Sequence, residues 1–495
     1  MRLTNDQWLS REAERGRDGP AKMMDSEQPP SGLDFIDSAH PRTSLAAASL
    51  SLREAFIFPS PETPRDRVGR KFRREDPMLE TPATSPPQFG RRHYFPQVTD
   101  DEWNDWQWQY RNRVRTLDAL ANFLPYSPAE LKQLKLVEQQ LHIGIPPYYL
   151  SLIDPTDPED PIRKQATPTA AEFTFHSVGV SDPLGEDGDM PVQGLVHRYP
   201  DRCLFIATNM CPMYCRHCTR RREWEAGELP KSRPMLDAMI DYIRKTPAIR
   251  DVIFSGGDPL SLPVSVLDYC LSELRKIEHV EIIRLATRYP VVLPQRITPD
   301  LLAVLSKHLP IWLNTHFNHP NELTPEAAAA CRRIQLAGLP MNNQSVLLRG
   351  VNDSAETMLK LCHGLLKMGV RPYYLFQCDP IQGAEHLRTN AWTGVEILDK
   401  MRGHTSGLAI PTFVVDTEGG GKVPLSPNYL LYATEDSLVV RNYEGRIFNY
   451  RNPNPPAPRK ARKAASLPFE LAKPARPRLV KREKPTPPDA NRSGV

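Results

Sequence analysis

CLFIATNMCPMYCRHC, residues 203–218, runs from a short apolar stretch into a loop holding Cys211, Cys215 and Cys218. CLFIATN reads as a buried strand that stops just before the loop. The C-x3-C-x2-C spacing supplies three thiolates, one short of the four that usually hold a cubane iron–sulfur cluster, and no fourth cysteine follows nearby. One iron of a 4Fe–4S cluster bound here is left open to an outside ligand. An open iron points to chemistry, whereas a fully ligated cluster points to electron transfer alone. Zinc is the competing reading, because His217 lies inside the run, but zinc favours paired C-x2-C units or Cys with His.

Downstream, apolar runs alternate with helical patterns. Strands are predicted at CLFIAT, DVIFSGG, EIIRLAT, IWLNTHF, MNNQSVLL, RPYYLFQ and TFVVD. Between them lie RPMLDAMIDYIRK, PVSVLDYCLSELRK, TPDLLAVLSKH, TPEAAAACRRIQLAG, SAETMLKLCHGLLKMG and AWTGVEILDKMRG. Such alternation defines an α/β fold with a parallel sheet, as a barrel or an open fold. Most of the strands end in polar residues, the habit of a barrel mouth. LLYATEDSLVVRNYEGRIFNY then predicts an antiparallel hairpin cap turning at Glu444-Gly445. Upstream, DDEWNDWQWQYRNRVRTLDALANFL predicts one helix whose aromatics serve packing. SPAELKQLKLVEQQLHIGIP predicts a second, with Ser127 and Glu130 as a capping box.

The 495 residues suffice for one large catalytic domain with extensions. Eight cysteines, no apolar leader and no run of about 18 apolar residues predict a reduced, cytoplasmic enzyme with no membrane span. The formal charge of +4 conceals an asymmetry: residues 451–495 hold twelve Lys/Arg against three Asp/Glu, with ten prolines. This tail (451–495) and the Pro/Ser/Arg-rich region 1–97 are expected to be mostly disordered. The tail has no interleaved aromatics, so no nucleic-acid partner is predicted. Between them we expect a helical extension at 98–197, the barrel at 198–417, and a lysine loop with cap at 418–450.

Several further stretches carry candidate chemistry. Ser255, Gly256, Gly257 and Asp258 end the second strand, where two glycines let backbone approach a ligand such as an amino group. Asn314, Thr315 and His316, with Asn343 and Gln344, place polar groups at two further strand ends. Asp416 precedes Gly419, Gly420, Gly421 and Lys422, which puts an amine on a mobile glycine-rich loop suited to a Schiff base with pyridoxal phosphate. Arg198, Tyr199 and Arg202 precede the first strand, and Arg220, Arg221 and Arg222 follow Cys218; both sets are candidate anion clamps.

Taken in order, CPMYCRHCTRRR, SGGDPL, LNTHFNHP, LLRGVND, RPYYLFQCD and GGGK resemble the lysine 2,3-aminomutase family over roughly residues 101–450. The resemblance implies a partial TIM-like (β/α)6-type radical S-adenosylmethionine barrel that also uses pyridoxal phosphate. It implies that Cys211, Cys215 and Cys218 hold the cluster, whose open iron binds the amino and carboxylate groups of S-adenosylmethionine. A 5′-deoxyadenosyl radical then takes hydrogen from the β-carbon of lysine held as an imine on pyridoxal phosphate. Lys422 becomes the Schiff-base lysine, Arg220 binds the substrate carboxylate, and His316 and Gln344 lie near the adenosyl cofactor. Asp379 and Asp416 match the positions that grip a distal ammonium.

The expected product is therefore β-lysine (3,6-diaminohexanoate). The expected partners are a free amino acid, an external one-electron reductant of flavodoxin or ferredoxin type, and further copies of the chain in a homo-oligomer. Arginine or another amino acid is the alternative 2,3-aminomutase substrate, and supply of β-lysine for modifying elongation factor P is a further role in the same class. A non-catalytic barrel used for binding is the alternative of another class. Two departures stand out: only three glycines precede the lysine, and no Cys follows Cys378, while Ser354 stands in VNDS. No structural zinc is expected.

Overall fold

The computed structural model describes residues 90–136, 142–174, 178–224 and 227–453. The expectations for 1–89 and for the tail beyond 453 lie outside these residues. All seven predicted strands and all six predicted helices are present. The strands are β2 (Arg202–Thr208), β3 (Asp251–Gly256), β4 (Ile282–Ala286), β5 (Ile311–Thr315), β6 (Met341–Leu347), β7 (Arg371–Gln377) and β8 (Thr412–Thr417). They run parallel in chain order. The intervening helices are α1 (Arg233–Arg244), α2 (Val264–Arg275), α3 (Pro299–Lys307), α4 (Pro325–Leu336), α5 (Ala355–Lys367) and α6 (Ala391–Met401).

Two strands of the main sheet were not anticipated. β1 (Leu195–Tyr199) pairs antiparallel with β2, and β9 (Gly421–Pro424) pairs antiparallel with β8, which makes nine strands in one sheet. The two edges of this sheet meet at one point, where the Lys422 N–H donates to the Tyr199 hydroxyl at 2.9 Å. The sheet is thus a nearly closed barrel. The cap is β10 (Leu430–Ala433), β11 (Ser437–Arg441) and β12 (Ile447–Arg451), all antiparallel. Its β11–β12 turn falls where predicted, with Gly445 at φ 81°, and β10 adds a third strand.

The helices cover the outer face of the sheet by 3.6-residue periodicity. α1 buries Leu236, Met239, Ile240 and Ile243, and α5 buries Met358, Leu361, Cys362 and Leu365. Each such side chain contributes about 1.5–3 kcal/mol by leaving water. Ser354 caps α5 by accepting from the Thr357 N–H at 3.1 Å. On β6 the burial alternates: Met341, Asn343, Ser345 and Leu347 are buried, while Asn342, Gln344 and Val346 on the inner face stay half-buried.

The predicted long N-terminal helix is instead three short ones, Asp100–Asn104, Trp106–Arg111 and Leu117–Ala121. Asp105 breaks it: its backbone is extended, and its carboxylate accepts from the Gln107 N–H at 2.8 Å. Val114 then leaves the helical path to pair with Ile145. Ser127 caps Pro128–Lys135, accepting from the Glu130 N–H, but this is only half of the predicted box; a full reciprocal box joins Thr99 and Glu102. Trp103 is buried and packs on Phe95, a structural role for that aromatic.

Candidate active site

The cysteine loop follows β2 and is fixed from three sides. Below it, β3 ends at Gly256 and runs on to Gly257, and the backbone there passes so close to that of Thr208–Met210 that no side chain fits. A Cβ on Gly256 would lie 2.2 Å from the Thr208 carbonyl oxygen, and one on Gly257 2.3 Å from that of Met210. The Gly257 N–H donates to Thr208 O at 2.6 Å and the Asp258 N–H to Met210 O at 2.7 Å. The Asp258 carboxylate accepts from the Thr287 hydroxyl and the Arg288 and Leu260 N–H groups, and burial lifts its pKa to about 6. The glycine pair therefore sets the backbone path into the loop, and Asp258 clamps the ends of β3 and β4 together.

From the second side, Arg113 donates to the Cys211 carbonyl at 2.6 Å and forks onto Glu228 at 2.9 Å. From the third, Arg216 and Glu172 form a buried bidentate pair at 2.6 and 2.9 Å, and Arg221 joins the same carboxylate at 3.0 Å. Burial raises the Cys211 and Cys218 thiols, reinforced at Cys211 by Cys218, Asp258 and Cys215, so the three sulfurs share one electrostatic neighbourhood. Arg288 reaches in from the end of β4, donating to Cys215 Sγ at 2.8 Å while Glu322 holds its other nitrogen at 2.8 Å.

The predicted anion clamps turn out to be largely paired. Arg220 forks onto Glu186 at 2.6 and 3.0 Å. Arg222 meets Glu186, Asp187 and Asp182. Arg198 donates to Asp189 at 2.6 Å and to the Leu184 carbonyl. Arg202 pairs with Asp201 at 2.7 Å and stacks on Tyr199 at 4.0 Å, with 35% of its side chain still exposed.

Lys422 does not sit on a mobile loop. It lies in β9, directly opposite Asp416 of β8, and its Nζ is 3.6 Å from Asp416 Oδ1 and 5.4 Å from the Phe376 ring centre. The three glycines make the tight turn between them. Gly420 lies so close to Phe448 and the Thr417 hydroxyl that a Cβ would fall 2.3 Å from each, and Gly421, at φ 79°, lies under the Tyr199 hydroxyl. Burial pulls the Lys422 pKa down, but Asp416, Tyr199 and Asp379 more than reverse this and leave it raised. Asp379 belongs to the same electrostatic cluster. Its pKa is well above the carboxylate range, from burial first and then from Asp416, with Lys422 opposing.

At the remaining strand ends, burial followed by Arg288 lowers the His316 pKa to about 4. Gln344 and Tyr374 are partners on neighbouring strands. Asn343 and Thr315 are buried, and Asn343 accepts from the Phe317 N–H at 2.7 Å, so Asn343 braces the fold. Sequence reasoning missed Glu172, Glu186, Arg288 and Glu322. Each acts through a partner distant in sequence, and an acidic stretch such as SDPLGEDGDM reads as an ordinary loop.

The fold and cysteine loop define a radical S-adenosylmethionine enzyme, and the Radical SAM superfamily profile matches residues 205–362. The profile described as Lysine-2,3-aminomutase matches residues 398–473. L-lysine 2,3-aminomutase of Clostridium subterminale is 53% identical over 366 residues, covering 73% of this chain and 88% of that one. The enzyme of the same description from Fusobacterium nucleatum subsp. nucleatum is 52% identical over 366 residues, covering 73% and 86%. Glutamate 2,3-aminomutase of Clostridioides difficile (strain 630) is 43% identical over 350 residues, covering 70% and 83%. The chain belongs to the lysine 2,3-aminomutase family. It is an isomerase, a radical S-adenosylmethionine aminomutase, and the family implies a 4Fe–4S cluster and S-adenosylmethionine. Among the described residues, no helix is long and apolar enough to cross a membrane.

Proposed function

We propose that this enzyme moves the α-amino group of L-lysine to the β-carbon, giving β-lysine. The observation that carries the choice of substrate is the carboxylate pair Asp379 and Asp416 beside the Lys422 amine. The Asp416 carboxylate, with Asp379 ready to ionise as a cation arrives, favours a substrate with a distal ammonium. The side-chain carboxylate of glutamate meets like charge there.

The residues fit the implied groups. Among the described residues, no three His, Cys, Asp or Glu side chains gather around a single point as one metal ion requires. A cubane cluster asks something different, since its thiolates bind separate irons. Cys211, Cys215 and Cys218 would hold it, and Arg288 would donate to a ligating sulfur. With S-adenosylmethionine, the reduced cluster supplies a hydrogen-abstracting radical. The Ser255–Gly257 backbone would meet the methionyl amino group of S-adenosylmethionine, and His316 and Gln344 its adenosyl part.

Lys422 would hold pyridoxal phosphate, which supplies an aldehyde and a π-system that spreads charge or unpaired spin from the substrate nitrogen. The surroundings suit it: an amine, the Phe376 and Tyr199 rings, and the Arg198 and Arg202 cations for a phosphate. Asp416 keeps the free Lys422 amine protonated, and a substrate ammonium entering between Asp379 and Asp416 takes over that countercharge. Arg220 would grip the substrate carboxylate, fixing the α-carbon between coenzyme and radical source.

Anaerobic reconstitution with iron, sulfide, S-adenosylmethionine and pyridoxal phosphate, followed by separate supply of lysine, arginine and glutamate, tests this. Lysine is expected to give β-lysine, with far less product from the other two. A fully loaded enzyme that leaves lysine unchanged overturns the assignment.

A further inference from the structure

Residues 178–190 form a strap that touches the turns after Asp379 and before Lys422 and holds Arg198 and Arg220. The Val180 N–H donates to Pro380 O at 2.9 Å and its carbonyl accepts from Gln382 at 3.1 Å, which fixes the turn after Asp379. Leu184 O accepts from the Gly419 N–H at 3.0 Å, fixing the turn before Lys422. Asp189 holds Arg198 at 2.6 Å. Glu186, with 4% of its side chain exposed, holds Arg220.

The geometry at Glu186 is specific. A guanidinium has five N–H donors in a rigid plane. Glu186 takes the side-on pair, Nε at 3.0 Å and one hydrogen of Nη2 at 2.6 Å. Nη1 approaches Gly256 O at 3.4 Å, at the end of β3. What is left is the end-on fork, one hydrogen on each Nη, which can bind a second carboxylate in bidentate fashion. Glu186 therefore does not compete with a substrate for Arg220 but chooses which edge of it the substrate meets. Arg222, at 3.2 Å from the same carboxylate, pins Glu186 in turn.

We propose that Glu186 is a positioning residue for the aminomutase reaction, presenting the end-on fork of Arg220 to the carboxylate of the substrate amino acid. This rests on the reading of Arg220 as the carboxylate clamp. The test uses reconstituted holoenzyme as wild type, E186Q and R220K, measuring KM and kcat for lysine, inhibition by 1,5-diaminopentane, and melting temperature. 1,5-Diaminopentane keeps both amines of lysine but has no carboxylate for Arg220.

E186Q is expected to raise the lysine KM on the order of tenfold, with a smaller change in kcat and an unchanged inhibition constant for the diamine. Equal weakening of lysine and diamine would show a general loosening of the fold and overturns the proposal, as does an unchanged lysine KM. R220K separates the two levels. If it leaves the lysine KM unchanged, the clamp reading fails; if it raises KM while E186Q does not, only the role of Glu186 fails. Should E186Q not fold, E186D replaces it, with the same split between lysine and diamine expected at a smaller factor and its absence counting against the proposal.

Discussion

Lys422 and Asp416 face one another across the β8–β9 hairpin, with ammonium and carboxylate 3.6 Å apart. The carboxylate holds the amine in its protonated form, yet an amine must be neutral to attack an aldehyde. In D416N the Lys422 pKa is expected to fall, because the Asp416 charge that raises it is gone. The pH at which the protein captures pyridoxal phosphate, followed by absorbance, then shifts downward. A capture profile identical to that of wild type would show that Asp416 does not govern the amine.

Asp379 yields a prediction about substrate and pH. Burial, then Asp416, keeps its proton on to higher pH than an ordinary carboxylate, whose pKa is about 4. A distal ammonium binds the ionised form. The lysine KM is therefore expected to rise as pH falls through the raised Asp379 pKa. In D379N this dependence flattens and KM is higher throughout, by about tenfold or more. Retention of the wild-type profile in D379N would remove Asp379 from the ammonium site.

The cysteines divide into two classes. Serine at Cys211, Cys215 or Cys218 is expected to abolish the cluster, read as iron and sulfide content after reconstitution. Cys270, on the buried face of α2, should tolerate alanine with full cluster loading and a stability loss of about 1 kcal/mol. Loss of cluster in the Cys270 variant, or full loading in any of the three serine variants, contradicts the assignment.

Glu172 ties the cysteine loop to the N-terminal segment. Burial raises its pKa, but Arg216 and Arg221 more than reverse this, so the folded-state value lies below the ordinary one. A depressed carboxylate pKa stabilises the fold above the unfolded-state value, about 4.3, and the gain disappears as pH falls below it through the folded value. E172Q leaves two buried cations short of an anion and is expected to cost about 3–5 kcal/mol near neutrality. Chemical denaturation of wild type and variant should show that gap narrowing under acid conditions. A gap that widens on acidification would reverse the sign.

The barrel was legible because its signals are local. Each of β2 to β8 is an apolar run bounded by turns, and each intervening helix carries its own apolar stripe. β1 escaped because LVHRY interrupts its apolar residues with His197 and Arg198. β9 escaped because GKVP is four residues long and begins with the last of three glycines, which reads as loop. That second miss mattered, since it turned Lys422 from a residue on a cross-strand hairpin into one on a mobile loop. The cysteine motif names its residues by spacing alone. Glu186 and Glu172 could not be named that way, because the arginines that give them meaning lie 34 and 44 residues on.

The central claim is that chemistry at the cysteine loop reaches an amino acid held at Lys422. Lysine deuterated at its β-carbon tests this directly in the anaerobically reconstituted enzyme. Deuterium is expected at the 5′ carbon of recovered S-adenosylmethionine, together with labelled β-lysine. Cleavage of S-adenosylmethionine with all deuterium retained at the original carbon of lysine would contradict it.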